Sequence, residues 1–292
     1  MNEALQAVIC QKLSAHFPTI KNMKVFSIGG GSINKTYQLR FNDRTFFCKL
    51  NSATTFPHLF VKEQAGLVLL AKQDIIKVPS IVDCFSTSEH QILLLEWIEE
   101  GERTPAFWRK FGEQLAALHQ LTNNCFGLDE DNYMGSVPQQ NNSHESWIEF
   151  LIRQRLQPMI NRCSGKNLLA SSFLQQFEKL FTNLPSVFEF KEKPSFLHGD
   201  LWSGNVMCDR GNEPVLIDPA VYYGHRSMDL AMTTLFSGFH KSFYEAYDYH
   251  FSFPKNYKEQ WQVCNLYPLL IHLYLFGRSY LSPIERTLKA YS

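Results

Sequence analysis

The pattern of apolar and polar positions divides the chain into a strand-rich first third and a helix-rich remainder. Residues 3–16 carry apolar side chains at helical spacing, which predicts an amphipathic helix. Short apolar runs bounded by turn residues follow this helix and predict strands. The strands are predicted at 23–28, 34–41, 44–50, 80–87 and 90–96, with a helix at about 58–72.

Helical periodicity prevails after a polar link near residues 97–105. Two very short apolar strands, 206–208 and 215–217, interrupt it and flank a turn. Helices are predicted at 106–121, 146–160, 168–184, 226–238 and 258–280. This order predicts an α+β chain of two lobes, a β-rich one over residues 1–97 and a larger, mainly helical one over 98–292, with a cleft between them.

Composition narrows the class of partner. Of the 292 residues, 45% are apolar and 19% charged, which is typical of a globular protein. The 28 Lys and Arg equal the 28 Asp and Glu, so no global basic field exists to attract nucleic acid or an anionic membrane. We therefore expect neither as a partner, while the oligomeric state stays open.

Cysteine usage and the apolar segments indicate the compartment. The seven cysteines are scattered, with no C-x-x-C pair, so neither a disulfide framework nor a structural zinc site is expected. The N-terminus lacks a signal-peptide pattern, and the longest apolar run, residues 266–276, is too short to span a bilayer. These features favour the cytoplasm.

The strongest chemical signal is the segment HGDLWSGN at 198–205, which Asp218 follows after two short strands. Asn205 directly precedes the first strand and Asp218 directly follows the second, so an antiparallel hairpin brings the two together. Their oxygens suit Mg²⁺. Asp200 lies five residues before Asn205 and can point at an incoming hydroxyl, which is the phosphoryl-transfer arrangement of kinases. The alternative is a hydrogen-bonded loop without a metal.

A lysine and a glutamate form the second signal. Strand alternation places Lys49 on the face opposite to Phe46, Cys48 and Leu50. Glu63 interrupts an apolar stripe of the following helix, and a buried carboxylate needs a cationic partner. Lys49 is the natural candidate and would also reach the α- and β-phosphates of ATP. In the alternative, Glu63 lies at the rim and Lys49 extends to solvent.

A glycine turn and a strand end complete the predicted nucleotide site. Gly29, Gly30, Gly31 and Ser32 join two strands one strand pair before Lys49, where a phosphate-binding loop is expected. The turn is neither a Walker A motif nor a full G-x-G-x-x-G, and by itself it favours an ordinary hairpin turn. Backbone groups of Glu96 and Ile98 could bond an adenine edge, or simply end a core strand.

Two further residues are assigned supporting roles. His198 could act as a general base, but a histidine that braces the loop is favoured. Asp229, early in a helix, is expected to accept hydrogen bonds from the backbone of the 198–205 loop; the alternative is a simple first-turn carboxylate.

The 198–205 segment resembles the catalytic loop of the fructosamine (ketosamine) 3-kinases, relatives of the aminoglycoside phosphotransferases. Trp202 is more typical of the ketosamine branch than of the aminoglycoside or choline kinase branches. Further stretches similar to this family are spread over nearly the whole chain: GGGSINKTY (29–37), FGLDEDNYMGSVPQ (126–139), DPAVYYGHRSMDLAM (218–232) and LYLFGRSYL (273–281).

The resemblance implies a bilobal protein-kinase-like fold and a reaction. Lys49 and Glu63 would position the phosphates, Asp200 would orient and deprotonate the sugar hydroxyl, and Trp202 would line the sugar pocket. Asn205 and Asp218 would hold Mg²⁺. The γ-phosphate of ATP would pass to the 3-hydroxyl of a fructosamine on a small amine or on a lysine of a glycated protein, a step associated with deglycation.

Two other functions compete with this interpretation. One is a kinase for another small hydroxyl substrate, such as an aminoglycoside, a choline-like amine or an amino sugar; Trp202 and residues 126–139 argue against it by resemblance. The other is a nucleotide-binding pseudokinase. It is disfavoured because Lys49, Glu63, Asp200 and the two metal-ligand positions all carry functional residue types.

Overall fold

The computed structural model describes residues 1–29, 33–189 and 192–291 and shows a mixed α/β protein. Gly30, Gly31 and Ser32 of the predicted phosphate loop lie outside the described residues. Within the described residues the strands are β1 (Lys24–Ile28), β2 (Lys35–Arg40), β3 (Thr45–Ser52), β4 (Ile81–Ser86), β5 (His90–Glu96), β6 (Asn132–Met134), β7 (Val137–Gln139), β8 (Ser195–Leu197), β9 (Val206–Cys208), β10 (Pro214–Leu216) and β11 (Tyr222–Gly224).

Most of the helices lie in the second part of the chain, as the sequence pattern predicts. In the same described ranges they are α1 (Glu3–His16), α2 (Leu59–Ala71), α3 (Pro105–His119), α4 (Trp147–Phe150), α5 (Gln157–Gly165), α6 (Ser171–Val187), α7 (Ser227–Met232), α8 (Lys241–His250), α9 (Tyr257–Cys264), α10 (Leu266–Phe276) and α11 (Leu281–Lys289). A π-helical turn (Leu151–Leu156) joins α4 to α5, and short 3₁₀ turns cover Ser203–Asn205 and Arg278–Tyr280.

The chain forms two compact units. The first combines Met1–Glu102 with Met207–Asp218, and the second combines Arg103–Val206 with Pro219–Ser292. The segment that ends in Asp218 therefore packs with the first unit although it lies far along the chain. None of the helices in the described ranges has the length and hydropathy that crossing a bilayer requires.

The first unit is built on a five-stranded sheet of order β1-β2-β3-β5-β4, with each neighbouring pair antiparallel. Apolar residues of β2, β3 and β5 share a buried cluster with the inward face of α1, formed by Leu5, Ile9 and Leu13. Cys48 belongs to this cluster and is fully buried. Because side chains alternate along a strand, Lys49 points away from α1.

The β9–β10 hairpin joins this unit by backbone hydrogen bonds. The Gly101 amide donates to the carbonyl of Cys208 at 2.7 Å, and the Leu216 amide donates to that of Lys77 at 2.9 Å. The second strand begins and ends one residue earlier than the predicted 215–217. This hairpin carries Asp218 into the first unit, beside the sheet that holds Lys49.

The second unit consists mostly of helices, and α3 packs closely against α8. Two small antiparallel pairs, β8 with β11 and β6 with β7, accompany the helices. The predicted helix 226–238 ends early, at Met232, and α8 begins at Lys241. The backbone between them is left-handed at Phe236, Ser237 and Gly238, with φ of 51°, 88° and 65°, and this conformation cannot continue a right-handed helix.

Gly112 allows α3 and α8 to approach each other. A Cβ at this position would lie 2.3 Å from the backbone carbonyl oxygen of Phe243. In a free helix, replacing glycine with alanine is favourable by about 1 kcal/mol. Here the two helices must separate, and we expect Gly112→Ala to lower the free energy of unfolding by about 1–3 kcal/mol. Urea unfolding measures this change.

Gly165, the last residue of α5, provides the matched control. A Cβ there would have no described atom within 4 Å. Gly165→Ala should therefore leave the free energy of unfolding unchanged or raise it by up to about 1 kcal/mol. If both variants were equally stable, close packing at Gly112 would not be the reason for the glycine.

Candidate active site

A buried lysine links two carboxylates within the first unit. Lys49 Nζ lies 2.6 Å from Glu63 Oε1 and 2.5 Å from Asp218 Oδ1. Lys49 is 2% exposed, so these contacts rather than water stabilise its charge. The predicted pairing of Lys49 with Glu63 is confirmed. The contact with Asp218 adds a partner that the sequence pattern did not identify.

The charges of this cluster do not balance, because one ammonium faces two carboxylates. Burial opposes the charge of Lys49, but the carboxylates of Asp218 and Glu63 outweigh it and raise the pKa of the ammonium. Burial also raises the pKa of Glu63 to about 7, and the Asp218 carboxylate adds to this against the opposing effect of Lys49. The Asp218 side chain is 37% exposed and that of Glu63 only 10%. The raised pKa of Glu63, the more buried carboxylate, therefore lessens the excess negative charge of the cluster.

The raised pKa of Glu63 predicts a pH-dependent stability. Because its folded pKa, about 7, lies above the unfolded value near 4.5, the folded protein binds the proton more tightly. This contribution to stability is complete below the unfolded pKa and is lost as the pH rises through 7. We expect the free energy of unfolding of the wild type, relative to Glu63→Gln, to fall by roughly 1–3 kcal/mol between pH 5 and 8. Urea unfolding at a series of pH values tests this; a constant difference would contradict it.

The segment that carries Asp200 is a tight loop in the second unit. It follows β8 and turns at Gly199, where φ is 85° and a Cβ would lie 2.0 Å from the carbonyl oxygen of Ala220. The Asp200 amide donates to His198 Nδ1 at 3.2 Å, so His198 braces the loop as expected. Asn205 Nδ2 donates to the Asp200 carbonyl at 2.8 Å. These bonds set the backbone on both sides of the Asp200 side chain.

Asp229 holds the same loop from the start of α7. Its Oδ2 accepts the His198 amide at 2.7 Å, and its Oδ1 accepts the Gly199 amide at 2.9 Å. The expectation that Asp229 bonds the loop backbone is therefore confirmed. The residue is 1% exposed, and its carboxylate is hydrogen-bonded rather than solvated.

Two residues linked to Asp229 were not identified from the sequence. His119 Nε2 lies 3.2 Å from Asp229 Oδ2, and His119 Nδ1 lies 2.9 Å from the Tyr247 hydroxyl. A signal existed: His119 falls on the buried side of amphipathic α3, together with Leu115 and Leu118. A polar ring on such a face requires partners, but the pattern along α3 could not show which ones.

Trp202 is folded back on its own loop. A Cβ at Gly204 would lie 2.4 Å from Cη2 of the indole, so the ring covers the glycine. On another side the ring meets Phe236 in a T-shaped contact, with centroids 5.9 Å apart. The indole is half-buried and can still offer an apolar surface to a ligand.

At Glu96, most of the groups that could contact adenine already have partners. Its amide already donates to the Ser80 carbonyl at 2.8 Å. Its side chain accepts the Ser80 amide at 3.1 Å and hydroxyl at 2.9 Å. The amide and the side chain of Glu96 therefore already have partners, so a bond to an adenine edge would use its carbonyl. Ile98 is buried, with 7% exposure.

Gly29 is the described residue of the predicted glycine turn. A Cβ at Gly29 would have no described atom within 4 Å. On the far side of the turn, Asn51 Nδ2 donates to Asn34 Oδ1 at 2.7 Å and to the Ile33 carbonyl at 3.4 Å. The strand of Lys49 thus anchors the chain directly after the turn.

The chemistry of Asp218 and Asn205 fits a hard cation. Lys49 occupies Asp218 Oδ1, and the partial exposure of the side chain leaves the carboxylate accessible. Asn205 uses its amide nitrogen as a donor, so its oxygen is the atom that can serve as a ligand. Over the described ranges, no three His, Cys, Asp or Glu side chains group into a metal site. Convergence of residues 200, 205 and 218 on one cation stays a prediction.

Comparison with known proteins identifies relatives of this chain. Residues 1–291 match the family model described as fructosamine kinase. A probable ketoamine kinase of Enterococcus faecium is 38% identical over 272 residues, covering 92% of this chain and 95% of that protein. A chloroplastic protein-ribulosamine 3-kinase of Arabidopsis thaliana is 34% identical over 263 residues, covering 89% of this chain and 79% of that protein.

Solved structures show the same fold. A putative fructosamine-3-kinase of Haemophilus somnus superposes with a TM-score of 0.86 at 27% identity, covering 97% of this chain and 96% of that one. An aminoglycoside phosphotransferase superposes with a TM-score of 0.60 at 13% identity, covering 96% of this chain and 98% of that one. This second likeness concerns the fold alone. The predicted kinase-like α+β fold is thereby confirmed. Since the family model covers all but the last residue, the chain belongs to the fructosamine kinase family.

Proposed function

We propose that this protein transfers the γ-phosphate of ATP to the 3-hydroxyl of ketosamines, sugars joined to an amine through an Amadori linkage. The observation that carries the proposal is the buried Lys49 bound to both Glu63 and Asp218. Kinases use this combination to hold nucleotide phosphates beside a metal ligand.

The names of related proteins support the choice of substrate. The Enterococcus faecium relative is named a probable ketoamine kinase, and the Arabidopsis thaliana relative a protein-ribulosamine 3-kinase. The substrate class we propose therefore comprises small ketosamines and glycated lysines on proteins. Phosphorylation at the 3-hydroxyl would destabilise the adduct, which makes deglycation the biological outcome.

Each part of the proposed site has a separate task. ATP supplies the phosphoryl group when bound, and Mg²⁺ held by Asp218 and Asn205 would neutralise charge on its phosphates. Lys49, fixed by Glu63, would contact the phosphates, and the predicted glycine turn, Gly29–Ser32, would supply backbone amides to them. The Glu96 carbonyl and the Ile98 backbone bond the adenine edge.

Asp200 acts on the sugar. Its carboxylate accepts a hydrogen bond from the 3-hydroxyl and takes the proton late in the transfer, so an ordinary ionised carboxylate is sufficient. Trp202 lines the sugar pocket with its half-buried indole. Catalysis then depends on orientation and charge neutralisation more than on an unusual acid or base.

The proposal also assigns the two parts of the chain and its compartment. Residues 1–97 form the ATP-binding lobe, and residues 98–292 form the catalytic and substrate-binding lobe. None of the seven cysteines, all of which lie in the described ranges, is in a disulfide bond, which supports a reducing compartment such as the cytoplasm.

Phosphate transfer to defined substrates tests the proposed function. The protein is incubated with ATP, Mg²⁺ and fructosyl-lysine or ribulosyl-lysine, free or in a glycated protein, and phosphorus NMR locates the modified hydroxyl. We expect a new phosphate ester at the 3-position that depends on added Mg²⁺. Transfer to an aminoglycoside or to choline, without transfer to either ketosamine, would contradict the proposed substrate class.

A further inference from the structure

A chain of buried polar side chains runs from α8 to the catalytic loop. The Tyr247 hydroxyl contacts His119, and His119 contacts Asp229. Asp229 in turn holds the amides of His198 and Gly199, directly before Asp200. Tyr247 and His119 are fully buried, and Asp229 is 1% exposed.

We propose that His119 and Tyr247 are positioning residues for phosphoryl transfer, which hold Asp200 in place through Asp229 and the loop backbone. The proposal rests on the proposed kinase function, but the geometry that carries it does not depend on the substrate.

The hydrogen-bond directions along this chain can be assigned. Burial raises the pKa of Tyr247, so its hydroxyl keeps the proton and can donate it to His119 Nδ1. His119 then carries its own proton on Nε2 and donates to Asp229 Oδ2. In this arrangement each polar atom from Tyr247 to Asp229 has a partner.

Asp229 needs this support because it has no charged guanidinium or ammonium partner among the ion pairs of the described residues. Its contacts are two backbone amides and the His119 ring. A buried carboxylate that loses one donor is strongly destabilised and will rotate or recruit water. Both backbone amides would then lose the acceptor that fixes them.

Movement of those amides would reach Asp200 directly. Gly199 adjoins Asp200 and has little room, since its Cα faces the Ala220 carbonyl at close range. The His198 carbonyl accepts the Ala220 amide at 2.9 Å, so the loop is held on one side by Ala220 and on the other by Asp229. A displacement of about 1 Å at a reacting group can lower a rate about 10²-fold.

Three substitutions test the proposal. His119→Leu removes the donor to Asp229, His119→Gln replaces it with an amide near the position of Nε2, and Tyr247→Phe removes only the hydroxyl. Tyr244→Phe is the matched control, because it removes a hydroxyl of the same helix that bonds Thr233 at 3.0 Å instead of His119. The readouts are kcat, the KM for ATP, and hydrogen exchange of the His198 and Gly199 amides.

We expect His119→Leu to lower kcat by about 10- to 100-fold, with the KM for ATP within about threefold of the wild-type value. His119→Gln should recover most of this loss, and Tyr247→Phe should lower kcat by about 3- to 10-fold. The His198 and Gly199 amides should exchange faster in His119→Leu and Tyr247→Phe, and at the wild-type rate in Tyr244→Phe.

Several outcomes would overturn the proposal. These are a kcat for His119→Leu within threefold of wild type, His119→Gln no better than His119→Leu, or unchanged exchange at both loop amides. If His119→Leu fails to fold, His119→Gln and Tyr247→Phe decide the question by the same measurements. Absence of ketosamine kinase activity in the wild type would refute the proposed function, while the exchange data would still decide whether Asp229 is held by His119.

Discussion

Asp200→Ala is expected to lower kcat by roughly 10²–10⁴-fold while ATP binding stays near the wild-type level. This range is the usual contribution of a positioned base. The loop backbone is held by Asp229, His198 and Asn205 through contacts that do not use the Asp200 carboxylate. The substitution should therefore remove the hydrogen-bond acceptor for the sugar hydroxyl and leave the loop in place. Steady-state kinetics with a ketosamine, together with calorimetric titration of ATP, measures both quantities.

Asp200→Asn separates chemistry from packing in the same experiment. The amide has nearly the same shape, but it cannot take a proton from the hydroxyl. We expect it to lose almost as much turnover as Asp200→Ala. Turnover near the wild-type level in either variant would refute the assignment of Asp200 as the acceptor.

Asp218→Ala is expected to abolish productive binding of Mg·ATP. The carboxylate is the proposed metal ligand, and it also contacts Lys49, whose charge is needed at the phosphates. Its loss should remove the dependence of residual activity on the Mg²⁺ concentration. Measuring rate against Mg²⁺ at fixed ATP shows whether the dependence disappears.

The same substitution should change the electrostatics of the lysine cluster. With Asp218 absent, Lys49 faces Glu63 alone, and the added effect of Asp218 on the pKa of Glu63 disappears. The pKa of Glu63 should then fall, which would flatten the pH dependence of stability described above. Asp43→Ala is a suitable control, because this half-exposed carboxylate of the first unit makes a long contact of 4.0 Å with Arg44 and no other ion pair with the described residues. Wild-type metal dependence in Asp218→Ala would argue against the assignment.

The pairing of Lys49 with Glu63 was predictable because it follows from two short-range periodicities. Strand alternation placed Lys49 opposite to Cys48, and helical spacing placed Glu63 on the same face as Phe60 and Leu67. Both neighbours in the helix are fully buried, as this face requires. The cost of an unpaired buried charge then selected the partner only 14 residues away.

The helix ends of the second unit were less predictable. Apolar periodicity continues past Met232, but the backbone turns left-handed at Phe236 and Ser237. No glycine or proline marks these two positions, so the pattern alone extended the helix. Tertiary contacts such as that between Trp202 and Phe236 accompany the turn and lie far apart in sequence.

By itself, the sequence determined which residue types are present and which face of each local element they occupy. This was enough to predict the α+β order and the Lys49–Glu63 pair, and to relate the 198–205 loop to that of the fructosamine 3-kinases. Only the tertiary structure decided the second partner of Lys49, Asp218, which lies 169 residues away, and the contact of His119 with Asp229 across 110 residues. Periodicity specifies a direction from one strand or helix, whereas such contacts depend on how separate elements pack together.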